Sequence, residues 1–238
     1  MKTVQRKLTR RAGIIGMVCL LAATLSSCLK DHNNYVQPEV ALVSVINASP
    51  DSDPVDFYLE PNRANNFPIR YGHGIDYVNA YPGKRTATFY VSGTKQKVAA
   101  DTIDLTAKKL YSVYLANTAG KRDVIFVADS IVQPAAGMAS IRLANLSADA
   151  GAVDLVTSKD SVLATNKAYK QVSNFVTIKG SNTYTLNIRQ KGTTTVLASL
   201  TNVTLRAGSV YTIWLQGIAS ATDDKKLSAG IQTNVFYY

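Results

Sequence analysis

The chain has 238 residues, 46% of them hydrophobic and 18% charged, with 13 Tyr but only two Cys, two His and one Trp. A hydrophobic fraction near half indicates folded globular material rather than disorder. So few Cys and His disfavour a zinc site or a Cys/His nucleophile pair, and the formal charge of +10 is unevenly placed, as the first residues show.

Lys2, Arg6, Lys7, Arg10 and Arg11 open the chain with no acid among them, and an apolar run follows from Ala12 to Leu25. Fourteen apolar residues fall short of the roughly 20 that a membrane-spanning helix needs. A basic start before a short apolar run reads as a secretory signal peptide. It exits through Leu25-Ser26-Ser27-Cys28, which resembles the lipobox of bacterial lipoproteins. The resemblance implies cleavage after residue 27 and a diacylglycerol-modified Cys28 as the new N-terminus. Several acyl chains anchor stably, since each buried methylene contributes about 0.8 kcal/mol. Leu29 stands where an Asp would signal inner-membrane retention in enteric bacteria, so the expected location is the outer membrane. Lys30-Asp31 resembles the charged export signals of Bacteroidetes surface lipoproteins, and the face, cell surface or periplasm, stays open. Residues 28–39 read as a polar, lipidated tether.

Removing the leader leaves 21 basic against 16 acidic residues, about +5. No basic run and no aromatic-interleaved basic stripe remains, so nucleic acid is not an expected partner. With Cys19 lost and Cys28 lipidated, the body has neither a thiol nor a disulfide, and packing must hold it.

Beyond the tether the chain repeats itself with an offset of about 98 residues. Val43-Ser44-Val45-Ile46-Asn47-Ala48-Ser49-Pro50-Asp51 aligns with Ile141 to Asp149, and Val55-Asp56 with Val153-Asp154. Tyr71 aligns with Tyr169, and Tyr111 to Leu115 with Tyr211 to Leu215. The division expected is 40–132 and 138–238, joined by a linker at 133–137 (Gln-Pro-Ala-Ala-Gly). Within each copy the apolar period is two: Val43, Val45 and Asn47 alternate with Ser44 and Ile46, and Ile141 and Leu143 alternate with Arg142. Turn formers recur at Ser49-Pro50-Asp51, Pro82-Gly83, Ser92-Gly93, Lys191-Gly192 and Ala207-Gly208. Alternation broken by such turns predicts an all-β fold: two tandem immunoglobulin-like antiparallel β-sandwiches of about seven strands each. Leu105-x5-Tyr111 and Leu205-x5-Tyr211 look like tyrosine corners, in which the hydroxyl ties back to an upstream backbone turn.

The opening Val43-x-Val45-x-Asn47-Ala48-Ser49-Pro50-Asp51-x3-Val55-Asp56-x-Tyr58 resembles a family of secreted bacterial modules catalogued as domain of unknown function 4397 (DUF4397). Tyr81-Pro82-Gly83 and Gly208-Ser209-Val210-Tyr211-Thr212 are similar to later family features. Asn47 and Asn145 stand where many members have His, and the second copy lacks the Pro. The resemblance implies fold and an exported location, and no activity.

Asp51, Asp53 and Asp56 form the densest carboxylate cluster. Closely spaced Asp on a loop can offer calcium several oxygens; the alternative is a turn whose Asp side chains accept from nearby backbone N–H groups. Glycoside hydrolysis would need two carboxylates at set separation, for which these three and Glu60 could be drafted. No nucleophile elbow or phosphate-cradling loop is present, no cofactor is expected, and the chain is read as a non-enzyme. His73, in Tyr71-Gly72-His73-Gly74, is the only His after the tether. Together with Tyr71, Tyr77 and Tyr81 it forms an aromatic cluster that could meet a glycan or protein ligand. The second copy has Tyr169, Gln171, Phe175 and Lys179 at those places. Tyr77, Phe175 and Trp214 also fit core positions. The functional expectation is a surface or outer-membrane binding or adhesion module held by its lipid. The alternatives are a periplasmic structural or spacer protein of the envelope and a glycan-acting enzyme.

Overall fold

The computed structural model describes residues 38–238, so the expected leader, Cys28 with its expected lipid and most of the expected tether lie outside the described residues. Residues Glu39–Tyr238 make one compact unit. The described residues contain sixteen β-strands and no helix.

The first sandwich is built from β1 (Ala41–Asn47), β2 (Val55–Leu59), β3 (Asn62–Arg63), β4 (His73–Ala80), β5 (Gly83–Val91), β6 (Lys97–Leu105), β7 (Leu110–Ala116) and β8 (Asp123–Asp129). The second follows with β9 (Met138–Asn145), β10 (Val153–Thr157), β11 (Val162–Lys167), β12 (Val176–Lys179), β13 (Asn182–Gln190), β14 (Val196–Leu205), β15 (Ser209–Gln216) and β16 (Ser228–Phe236). Each copy folds into two four-stranded sheets, ordered β4-β1-β7-β8 with β3-β2-β5-β6, and β12-β9-β15-β16 with β11-β10-β13-β14. The all-β sandwich expectation holds, with eight strands per copy. One pair in each is parallel rather than antiparallel: β1 beside β7, and β9 beside β15. These partners are far apart in sequence, so no hairpin dictates an antiparallel return.

The period-two residues fill two separate cores. Val43, Val45, Phe57, Phe89 and Leu115 are fully buried in the first, where Phe57 and Phe89 approach to 4.9 Å between ring centroids. Ile141, Leu143, Leu155, Leu186 and Ile213 do the same in the second. Both tyrosine corners form: the Tyr111 hydroxyl accepts from Thr106 N at 3.0 Å, and that of Tyr211 from Arg206 N at 2.9 Å.

A third apolar cluster lies between the sandwiches. Ile46, Ala48, Tyr114, Ala116 and Ile125 of the first meet Ala144, Leu146 and Trp214 of the second. The alternation of Ile141 and Leu143 with Arg142 puts Arg142 on the face away from the sandwich core, where one sandwich alone would leave it to solvent. The structure buries that face instead, because the β4-β1-β7-β8 and β12-β9-β15-β16 sheets pack back to back. Hence β15 is buried at every position, and the four sheets stack in layers. Equivalent positions of the two copies supply both walls: Ile46 and Ala144, Ala48 and Leu146, Tyr114 and Trp214. That is the pattern of an isologous, two-fold-like contact. Trp214 lies flat on Gly230, where an added Cβ would sit 2.1–2.7 Å from ring atoms.

Candidate binding site

The signature residues at the start of each copy are clasps. Asn47 is fully buried, accepts from Ser49 N at 3.1 Å and donates to Ile69 O at 3.2 Å. Ser49 donates to Asn117 O, and the Asp51 carboxylate accepts from Ala119 N at 2.9 Å and from Arg122 at 3.0 Å. This fixes the β1–β2 turn to the β7–β8 turn. The second copy repeats it through Asn145, Ser147 and Asp149, which accepts from Ala219 N at 3.0 Å. Asp56 turns inward and accepts from Asn65, Ser92 and Gly93 N while pairing with Arg63 at 2.7 Å. Its burial opposes ionisation, but the Gly93, Asn65 and Ser92 hydrogen bonds and Arg63 outweigh that and hold its carboxyl below the usual range. Asp51 and Asp56 thus serve separate turns, and Asp53 is exposed between them. Among the described residues no group of three or more His, Cys, Asp or Glu is placed to hold a metal ion. Glu60 is likewise engaged elsewhere, accepting from the Tyr90 hydroxyl at 2.9 Å.

The aromatic cluster divides along β4, the edge strand of its sheet. His73 and Tyr77 line a groove of about 710 Å3 between β4 and β16, together with Asp76, Gln232, Asn234 and Phe236. They also line a concavity of about 450 Å3 on the other side, beneath the β3–β4 loop. Volumes of this order suit a small ligand or one segment of a polymer. His73 is exposed, its Nδ1 3.0 Å from Tyr71 O. Tyr71 points toward the second sandwich, where its enclosed hydroxyl lies near Ser228 and Asp224 without a partner in hydrogen-bonding geometry. Gly72 adopts a left-handed φ of +76° and lets Gln216 approach so closely that an added Cβ would lie 2.9 Å from its Nε2. Tyr81 is exposed just past the far end of β4. At about 3.3 Å per residue it stands some 25 Å from His73, so it does not join the groove.

One wall of the groove is backed by a closed ring of hydrogen bonds and one ion pair through both sandwiches. Tyr77 donates to Asp129 Oδ2 at 2.5 Å, and Asp129 pairs with Arg142 at 2.6 Å. Arg142 Nε donates to Thr212 at 2.9 Å, Thr212 to Asn234 at 2.6 Å, and Asn234 back to the Tyr77 hydroxyl at 3.2 Å. Ser112 and Tyr114 add contacts to Asp129 and Arg142. Burial, reinforced by the Asp129 carboxylate, pushes the Tyr77 phenol well above its ordinary value, so it stays a neutral donor. Above the ring, Gln232 donates to Ile75 O at 3.1 Å and covers part of the β4 edge. Phe175, which aligns with Tyr77, instead packs under the Arg142 guanidinium, 4.5 Å from centroid to carbon. With its hydroxyl held by both Asp129 and Asn234, Tyr77 presents a groove wall of fixed shape.

Several of these groups escape the sequence reading. Arg142, Asp129, Thr212 and Asn234 sit at alternating positions that look solvated until a second sheet covers them. Phe67, 81% exposed on the β3–β4 loop, is the most exposed Phe of the described residues. A signal existed: its setting, Asn65-Asn66-Phe67-Pro68, is turn chemistry and not a strand position.

No curated protein matches the chain. Among solved structures it is similar to a family 26 carbohydrate-binding module of Eubacterium rectale Amy13K crystallised with maltoheptaose. That likeness has 10% identity and a TM-score of 0.28, covering 82% of this chain and 97% of that one. A candidate cell adhesion protein from Bacteroides eggerthii is similar at 10% identity and a TM-score of 0.24, covering 85% and 98%. A leucine-rich repeat protein from Bacteroides thetaiotaomicron is similar at 13% identity and a TM-score of 0.20, covering 73% and 25%. At these values the likenesses bear on no functional point. The model of the family described as Domain of unknown function (DUF4397) matches residues 41–156, the whole first sandwich and the chain onward through β9 into β10 of the second.

Proposed function

We propose that the chain is a non-catalytic binding or adhesion module of the outer membrane, lipid-anchored through Cys28, whose ligand sits in the groove beside β4. The observation that carries this reading is the Tyr77 ring of hydrogen bonds. It spends five side chains from both sandwiches on fixing one wall of an open groove lined by His73, Asp76 and Phe236. Rigid walls with a few polar groups are what a binding site needs. The ligand is a glycan or a protein. No catalytic step is part of the proposal, since Asp51, Asp56 and Glu60 are each tied to separate structural partners. The leader and lipobox support the anchor.

Protease shaving of intact cells, read with antibodies to the body, places it. Loss of signal puts the groove outside; protection until the outer membrane is broken puts it in the periplasm. Binding of glycans and matrix or envelope proteins to the wild type and to His73→Ala, Asp76→Ala then tests the groove. Ligands bound equally by both proteins would remove it as the site.

A second reading is a structural or spacer protein of the envelope, favoured by the fixed packing of the two sandwiches through Ile46, Tyr114, Leu146 and Trp214. A stoichiometric envelope partner captured by cross-linking, indifferent to the groove variants, would support it.

A further inference from the structure

The β3–β4 loop throws Phe67 into solvent from a backbone that is hydrogen-bonded on both sides of it. Asn65 is 4% exposed and accepts from Phe57 N at 2.7 Å. Its amide donates to Phe67 O at 2.8 Å and to Asp56 at 3.0 Å. On the other side of the ring, Ile69 exchanges two backbone hydrogen bonds with Val55, at 3.0 and 2.8 Å, and sits in the first core at 2% exposure. Pro68 restricts the backbone between them. The exposure of the ring is therefore built in and is not the product of a loose loop. The concavity beneath it, of about 450 Å3, is lined by Asn66, Arg70, His73 and Asp76. Arg70 makes no ion pair or side-chain hydrogen bond among the described residues, and Asp76 has one long contact, to Gln232 at 3.4 Å.

An aromatic face beside one cation and one anion, neither in an ion pair among the described residues, narrows the ligand. An apolar peptide would strip water from both charges without repaying it. A polyanion would meet Asp76 as well as Arg70. A pyranose ring satisfies all of them. Its C–H face packs on the Phe67 ring, its hydroxyls donate to Asp76 and to His73 Nε2, whose Nδ1 faces the Tyr71 carbonyl, and they accept from Arg70. We propose that the Phe67 loop is a stacking platform for a sugar ring of a neutral polysaccharide, with Arg70, His73 and Asp76 reading its hydroxyls. This rests on the binding reading above and names its ligand class. The second copy is an internal control, because Thr165, Ala168, Gln171 and Asn174 stand at the corresponding positions.

The test is affinity electrophoresis and calorimetry of the full mature chain against soluble neutral polymers: α-glucan, mixed-linkage β-glucan, galactomannan and arabinoxylan. At least one should be bound. Phe67→Ala should weaken that binding at least tenfold, Phe67→Trp should retain it, and Thr165→Ala should leave it unchanged. Phe67 is exposed, so its variants keep the fold, which circular dichroism checks. Failure of all four polymers to bind, or binding undiminished in Phe67→Ala, overturns the proposal. A protein ligand lost in His73→Ala but kept in Phe67→Ala overturns it too, while leaving the broader binding reading intact.

Discussion

Arg142 and Asp129 meet at 2.6 Å between the two sandwiches, with side chains 2% and 0% exposed. They come from different copies of the repeat, and the ring through Thr212, Asn234 and Tyr77 closes around them. Burying two charges recovers its desolvation cost only if their remaining hydrogen-bonding capacity is met. Here Ser112 and Tyr77 donate to one Asp129 oxygen, Thr212 takes a donor of Arg142, and the second Asp129 oxygen is met by the Arg142 charge alone.

Removing one partner strands the other in the interface. Arg142→Met or Asp129→Leu alone should therefore cost about 3–5 kcal/mol in urea unfolding. The double variant should recover most of that loss, because an apolar pair of similar volume replaces an ionic one. Additive losses in the double variant would show that the two do not act as a pair.

The tyrosine corners offer a matched test in the two copies. Tyr111→Phe and Tyr211→Phe each leave one backbone N–H, of Thr106 or Arg206, without its acceptor. Each should lose about 1–3 kcal/mol, and by similar amounts, as measured by denaturant midpoints. A loss confined to one copy would mean that the two corners are not equivalent.

Trp214 is the only Trp in the chain and is 3% exposed, so its fluorescence reports on the contact between the sandwiches. Gly230→Ala puts a methyl group where the indole lies. Overpacking of this kind costs about 1–3 kcal/mol. The emission maximum should move to the red as the ring is displaced. An unchanged spectrum at an unchanged melting temperature would contradict the contact.

Acid should loosen the fold through Asp56 and Asp123. Both carboxyls are held below the usual range. In each, hydrogen bonds and a neighbouring cation outweigh the opposing effect of burial: Gly93, Asn65, Ser92 and Arg63 for Asp56, and Lys170 with the Tyr169 hydroxyl for Asp123. The unfolded chain, with carboxyls near about 3.9, binds more protons than the folded one. The stability they contribute is thus complete above that value and lost as pH falls through the folded values. The melting temperature should drop between about pH 5 and pH 2. Asp56→Asn should be less stable at neutral pH and show a shallower acid decline. A decline as steep as the wild type's would put the acid sensitivity elsewhere.

What could be read from the chain was whatever is decided locally. Val43 and Val45, Ile141 and Leu143 declare their strands by period, and Tyr111 and Tyr211 declare their corners by spacing from Leu105 and Leu205. The Asp51 cluster was legible as a turn, because its carboxylates accept from N–H groups presented by the fold itself. Arg142 was not legible. A polar residue between two core positions reads as solvated, and only a second sheet laid over it makes it buried. The groove shares that dependence, since Tyr77 and Asn234 lie 157 residues apart and no local pattern relates them. Phe67 was visible but unremarkable, because its exposure follows from how Asn65 pins the loop.

The interface also fixes what each half is by itself. Ser44 occupies in the first copy the place that Arg142 takes in the second, and the Asp129–Ser112 contact has its counterpart in Asn234–Thr212. Two identical sandwiches meeting this way would carry the cation twice or not at all. Copies joined in one chain can differ, and this pair holds a single charge from each side. Neither half is therefore complementary to itself: cut apart, one would present a carboxylate without its cation and the other a guanidinium without its anion. The sandwiches are a committed couple, which could be transplanted together but not shuffled singly into other chains.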